Sequence, residues 1–228
     1  MRILVTITLI ATHFNVFGQV TNQNLYDTFP TMVDHYKERV ALFAREPIVT
    51  GKVIFLGNSI TEGGNWAELT GDKSVINRGI GGDVTFGIIQ RLDDIIIRKP
   101  SKLFILIGIN DISKDFPDAV IVNNYKTILR ELKSKTPGTK IFIQSILPLN
   151  PEYKRFPQHY DKTEHVRSVN LLLKELAANE GVQYVDIYPI FLDSTGKLDS
   201  ALTYDGLHLN AWGYKRWAEF LSKKNLLK

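Results

Sequence analysis

Short apolar, β-branched runs alternate along this chain with segments of helical spacing, and that alternation restricts its fold more than any other feature. Residues 53–56, 75–76, 103–107, 141–146 and 184–187 read as strands. Residues 84–98, 119–135 and 163–179 mix apolar and charged side chains at intervals of three and four, as helices do. Strand followed by helix, repeated, predicts a parallel sheet with helices on both faces, an α/β fold. The run Leu103-Phe104-Ile105-Leu106-Ile107 has the near-continuous apolar character that burial on both faces requires. Pro100 and the pair Pro137-Gly138 stop the helices before them. An amphipathic helix over residues 32–45 precedes the first strand, and a last helix begins near Ala211.

The segment before this pattern reads differently. Residues 1–18 hold a basic Arg2 and then an apolar run over 3–11, too short to span a bilayer stably. Val16 and Gly18 are small enough to flank a signal-peptidase site, which would make Gln19 the mature N-terminus; the competing reading is a buried N-terminal strand or helix. The expectation is an exported protein, periplasmic or secreted, with a signal peptide at 1–18 and one domain over 19–228. No stable membrane insertion is expected after cleavage, because no other run reaches the length a transmembrane helix needs. The absence of cysteine excludes disulfides, a thiol nucleophile and a cysteine zinc site. The net charge of +4 is spread along the chain. Its densest basic stretch, Lys215 to Lys228, punctuates the apolar Trp217, Phe220 and Leu221, so it reads as a solvated helix face and not as a nucleic-acid surface.

In an open α/β sheet, ligands collect at the carboxyl ends of the strands. After the first strand comes Gly57-Asn58-Ser59-Ile60-Thr61. A serine at that turn presents its hydroxyl beside a helix N-terminus, which suits a nucleophile, but a helix N-cap explains it equally well. Thr61 rules out the G-x-S-x-G elbow. After the second strand, Gly81-Gly82-Asp83 permits close backbone approach to an anion, while Val84 breaks the G-x-G-x-x-G dinucleotide spacing. Gly108-Ile109-Asn110-Asp111 follows the third strand; Asn110 offers an amide donor, although a turn residue is its ordinary reading. Near the C-terminus, Asp205 and His208 stand three apart, so the carboxylate can orient the imidazole for general-base work. One Asp and one His supply too few ligands for a catalytic metal. His35, His159 and His165 read as structural or exposed, with the last two retained as possible substrate contacts beside residues 147–161, a long, aromatic, lid-like connection.

Taken in order, Gly57-Asn58-Ser59, Gly81-Gly82-Asp83, Gly108-Ile109-Asn110-Asp111 and Asp205-Gly206-Leu207-His208 resemble the SGNH hydrolases, the GDSL esterase/lipase superfamily, over essentially the whole of residues 19–228. The branch most similar holds platelet-activating-factor acetylhydrolase-like enzymes and bacterial carbohydrate deacetylases. The resemblance implies a three-layer α/β/α sandwich, flavodoxin-like, with five parallel strands. It implies Ser59 as nucleophile with Asp205 and His208 as acid and base, and an oxyanion hole from Ser59, Gly82 and Asn110. No cofactor and no metal are expected. The usual Asp before the serine is Asn58 here, a lost charge outside the triad. The expected activity is hydrolysis of short acyl esters, acetyl first, from a small-molecule or glycan substrate. A lipase, lysophospholipase or thioesterase of the same fold is one alternative; a non-catalytic glycan-binding module is another.

Overall fold

The computed structural model describes residues 26–27 and 32–227. The expected signal peptide, residues 1–18, lies outside the described residues. Five strands form one parallel sheet: β1 (Val53–Gly57), β2 (Ile76–Gly79), β3 (Lys102–Leu106), β4 (Lys140–Gln144) and β5 (Gln183–Val185), in the order β2-β1-β3-β4-β5. The helices α1 (Val33–Arg45), α2 (Ser59–Glu62), α3 (Trp66–Thr70), α4 (Thr85–Gln90), α5 (Leu92–Arg98), α6 (Ile109–Ser113), α7 (Asp118–Lys135), α8 (Thr163–Glu180) and α9 (Ala211–Lys223) connect and cover it. This is the expected α/β sandwich. From β1 the chain crosses to one side of the sheet and from β2 it returns to the other, so β1 and β3 flank the switch point where such sheets open a crevice.

Register explains the core on one face. Phe55 pairs with Phe104, and Phe104 with Phe142, so three aromatic rings stand side by side across β1, β3 and β4. Their centroids are 4.8 and 4.6 Å apart. Trp66 of α3 stacks on Phe55 at 3.9 Å, and Trp217 of α9 meets Trp66 edge-on at 4.7 Å. All five rings are buried, and each contributes large apolar area as well as ring-pair attraction. This ladder docks α3 and α9 on the sheet and so sets the helix that follows the Asp205–His208 segment.

The segment expected as one helix over 84–98 is two. Arg91 (φ −119°, ψ 16°) breaks it. The helical periodicity continues through the break, but the Arg91 guanidinium is buried beneath the strand ends. It donates to Asp83 Oδ2 at 2.9 Å, to Arg78 O at 2.9 Å and to Gly57 O at 3.0 Å. Burial pushes the Asp83 carboxyl up to about 6, against the pull of Arg91. Removing one member of a buried pair strands the other charge. Arg91→Met should therefore lower the unfolding free energy by about 3–5 kcal/mol in a urea titration, and adding Asp83→Asn should recover part of that loss.

Candidate active site

Ser59 opens α2 directly after β1. Asn58, fully buried, caps that helix: its Oδ1 accepts the Ile60 N–H at 3.1 Å, while its Nδ2 meets no acceptor among the described residues. The amide that replaces the usual carboxylate thus keeps the cap and loses the charge. The cap leaves the Ser59 N–H unused, and no hydrogen bond among the described residues takes it.

The Asp205–His208 segment is closed on itself. Thr203 Oγ1 donates to His208 O at 2.6 Å and accepts the Gly206 N–H at 2.9 Å. Gly206 has φ +83°, and a Cβ there would lie 2.3 Å from Asn150 O, so only glycine fits. Asn150 in turn donates its N–H to Gly206 O at 2.9 Å and its side-chain amide to Leu198 O at 2.9 Å. Leu147, Leu149 and Asn150 are buried. The first part of the connection expected as a lid is therefore a fixed bracket behind the site. Asn210 closes the segment by capping α9, accepting the N–H groups of Trp212 and Gly213.

These two pieces bring Ser59, His208 and Asp205 into one hydrogen-bonded line. Ser59 Oγ is 2.9 Å from His208 Nε2, and His208 Nδ1 is 2.7 Å from Asp205 Oδ2. Asp205 Oδ1 accepts the N–H of His208 at 2.7 Å and of Leu207 at 3.0 Å. Burial alone would raise the Asp205 carboxyl; the backbone and ring N–H groups of His208 and the Leu207 N–H outweigh it and hold the carboxyl below its ordinary value.

Gly82 and Asn110 stand at the adjoining strand ends. Gly82 (φ +74°) is in the left-handed region that only glycine enters readily, and no hydrogen bond among the described residues takes its N–H. Asn110 Nδ2 donates to Asp83 O at 2.8 Å, and among the described residues no acceptor takes its second amide hydrogen. Arg91 ties the same Asp83 to the end of β1. Ser59, Gly82, Asn110 and His208 are each partly exposed, whereas Asn58, Asp83 and Asp205 are buried behind them. A hydroxyl bonded to an oriented imidazole, beside unpaired N–H groups, is a constellation able to carry out acyl transfer.

A family model for the GDSL-like lipase/acylhydrolase family matches residues 55–216, a span that contains every one of these positions. The chain belongs to the GDSL-like lipase/acylhydrolase family. As a member it is an ester-bond hydrolase, so the reading as a mere binding module falls away. Platelet-activating factor acetylhydrolase IB subunit alpha2 from Rattus norvegicus is 28% identical over 171 residues, 72% of this chain and 71% of that protein. A candidate platelet activating factor from Streptococcus pneumonia, 30% identical, superposes with a TM-score of 0.76 over 85% of this chain and 94% of that one. An acetylxylan esterase from Geobacillus stearothermophilus shares the fold, with 21% identity and a TM-score of 0.61 over 78% of this chain and 96% of that one.

Other aromatic and histidine side chains fall unevenly around this GDSL site. Phe156 stands edge-on to His208, with centroids 5.4 Å apart. Tyr160 spends its hydroxyl on the Phe156 N–H at 2.6 Å, and Tyr153 packs beside Gly206. Tyr204 lies nearly parallel to the His208 ring at 6.0 Å and is 58% exposed. Its position next to Asp205 was the available sequence signal for it. His165 pairs with Asp118 at 2.7 Å. His159 is buried with both ring nitrogens unpartnered among the described residues, and burial lowers its pKa to about 4.

The depressed Asp205 carboxyl makes a pH prediction. A carboxyl whose pKa is lower folded than unfolded contributes stability above its unfolded value and loses it as pH falls through the folded one. Thermal unfolding should show wild type above Asp205→Asn at neutral pH, with the gap closing below the ordinary carboxylate range.

Proposed function

We propose that this GDSL hydrolase is a serine esterase that removes short acyl groups, acetyl first, from an extracytoplasmic ester such as an O-acetylated glycan. The observation that carries the reading is the line from Ser59 Oγ through His208 to Asp205, at 2.9 and 2.7 Å. His208 Nε2 takes the Ser59 proton as the hydroxyl oxygen attacks the ester carbonyl. Asp205 holds the Nδ1–H tautomer and stabilises the imidazolium. The oxyanion is held by the Ser59 and Gly82 N–H groups and the second amide hydrogen of Asn110. His208 then protonates the leaving alcohol, and water, deprotonated by the same ring, releases the acid from the acyl-enzyme.

Support for acetyl comes from the relatives named as a platelet-activating factor acetylhydrolase and an acetylxylan esterase. Support for a sugar comes from Tyr204, whose exposed face beside His208 suits stacking on a ring. Export rests on the N-terminal sequence pattern, and the hydrolase domain is taken to run over 19–228.

Ser59→Ala should lower p-nitrophenyl acetate turnover by about 10⁴-fold or more, and Asn110→Ala by about 10²- to 10³-fold. Full activity in folded Ser59→Ala would overturn the assignment. Rates should fall from acetate to octanoate esters; the opposite trend indicates a lipase or thioesterase. Tyr204→Ala should raise KM for an acetylated oligosaccharide and leave p-nitrophenyl acetate kinetics unchanged.

A further inference from the structure

The Gly81-Gly82 loop is gripped from outside the strand ends by a carboxylate that the proposed chemistry does not use. Glu62, last residue of α2, accepts the Gly81 N–H on Oε2 at 2.6 Å. His35 Nε2 sits 3.1 Å from both carboxylate oxygens, and Arg39 Nε lies 3.1 Å from Oε1 as an ion pair without hydrogen-bond alignment. Both partners come from α1, which precedes the residues 55–216 shared with the family.

The same helix closes on the loop by packing. Tyr36 and Phe43 of α1 form a separate apolar cluster with Ile80, the residue before Gly81. Tyr36 donates its hydroxyl to Gly87 O at 2.7 Å. Met32 fills the space beside the Gly82 Cα, where a Cβ would come within 3.3 Å of its side chain. The far end of α1 is held too: Arg98 donates to Phe43 O, and Arg78 pairs with Glu46 at 2.7 Å.

We infer that Glu62 is a positioning residue for the oxyanion hole: held by His35 and Arg39 of α1, its carboxylate fixes the Gly81 amide and thereby aims the Gly82 N–H at the substrate carbonyl. This rests on the reading of Gly82 as an oxyanion donor. The carboxylate reaches the loop one peptide before the donor. An N–H bonded to an ionised acceptor is held more firmly than one bonded to a neutral oxygen. Because the grip orients a donor used most strongly in the transition state, its loss acts on kcat and not on substrate binding.

The test measures p-nitrophenyl acetate kinetics and inhibition by methylboronic acid, whose tetrahedral adduct with the serine needs the same hole. Glu62→Ala should lower kcat by about 10- to 100-fold with KM nearly unchanged, and weaken boronate inhibition by a similar factor. Glu62→Gln, which keeps a carbonyl acceptor for Gly81, should recover activity to within several-fold of wild type. Should Glu62→Ala fail to fold, Arg39→Met carries the test, since it loosens the carboxylate and leaves the Gly81 bond; a several-fold loss in kcat at constant KM is expected. A folded Glu62→Ala, or Arg39→Met in its place, with wild-type kcat and boronate inhibition overturns the inference. Ser59→Ala serves as the control. If it stays active, the reading of the site fails; if it is inactive while the Glu62 and Arg39 variants match wild type, only the positioning role fails.

Discussion

The Arg91 guanidinium holds together the edge on which the site is built. It joins Gly57 O at the end of β1, Arg78 O in β2 and the Asp83 carboxylate that follows Gly82. Asp83 O in turn receives the Asn110 amide from beyond β3. Three strand ends and two of the expected oxyanion donors therefore depend on one buried cation. A parallel sheet supplies no such fastening of its own, because its ladder stops where the strands stop. The loops beyond need side chains to satisfy their backbone groups. A buried ion pair is a weak source of net stability, and its value here lies in geometry: a planar fork bonds in fixed directions.

The second half of the site arrives by a different route. The aromatic ladder on one face of the sheet seats α9, and Asn210 caps that helix, so the Asp205–His208 segment has one way to approach β1. Asn150 and Gly206 hold its other side. The polar atoms that meet Ser59 are thus positioned by a packed core on one hand and by a buried polar bracket on the other. This division lets the partly exposed atoms of the site remain fixed while they face solvent.

Much of this was legible in the sequence. The strands announce themselves because burial on both faces forces continuous apolar runs, and the long helices through their three-to-four spacing and their stops. The apolar run at 75–76 stops short of β2 because Asn77 and Arg78 look unlike strand residues; both lie within the strand and pair with Phe55 and Leu56 of β1. The short helices α2, α3 and α6 hold about one turn each, too little for a period to show. The break at Arg91 was hidden because its cause, a buried carboxylate eight residues earlier, lies in tertiary structure. Ser59, Gly82 and Asn110 after strand ends and Asp205 and His208 in the last loop stand out through the order of their four blocks, and their expected roles come from the resemblance that this order carries. Glu62, His35 and Asn150 carry no comparable spacing, since each acts on a residue far away in the chain. The aromatic connection over 147–161 reads as a lid, yet Tyr153 and Tyr160 within it are half-buried, whereas Tyr204, beside Asp205, presents an exposed ring.

The central claim is that Ser59 is a nucleophile made reactive by His208. The most direct measurement is labelling of the folded protein with a fluorophosphonate, followed by mapping of the modified peptide. The account predicts one adduct, on Ser59, formed rapidly in wild type and scarcely at all in His208→Ala. A folded wild-type protein that leaves Ser59 unlabelled, or a His208→Ala variant that labels as fast as wild type, would contradict it.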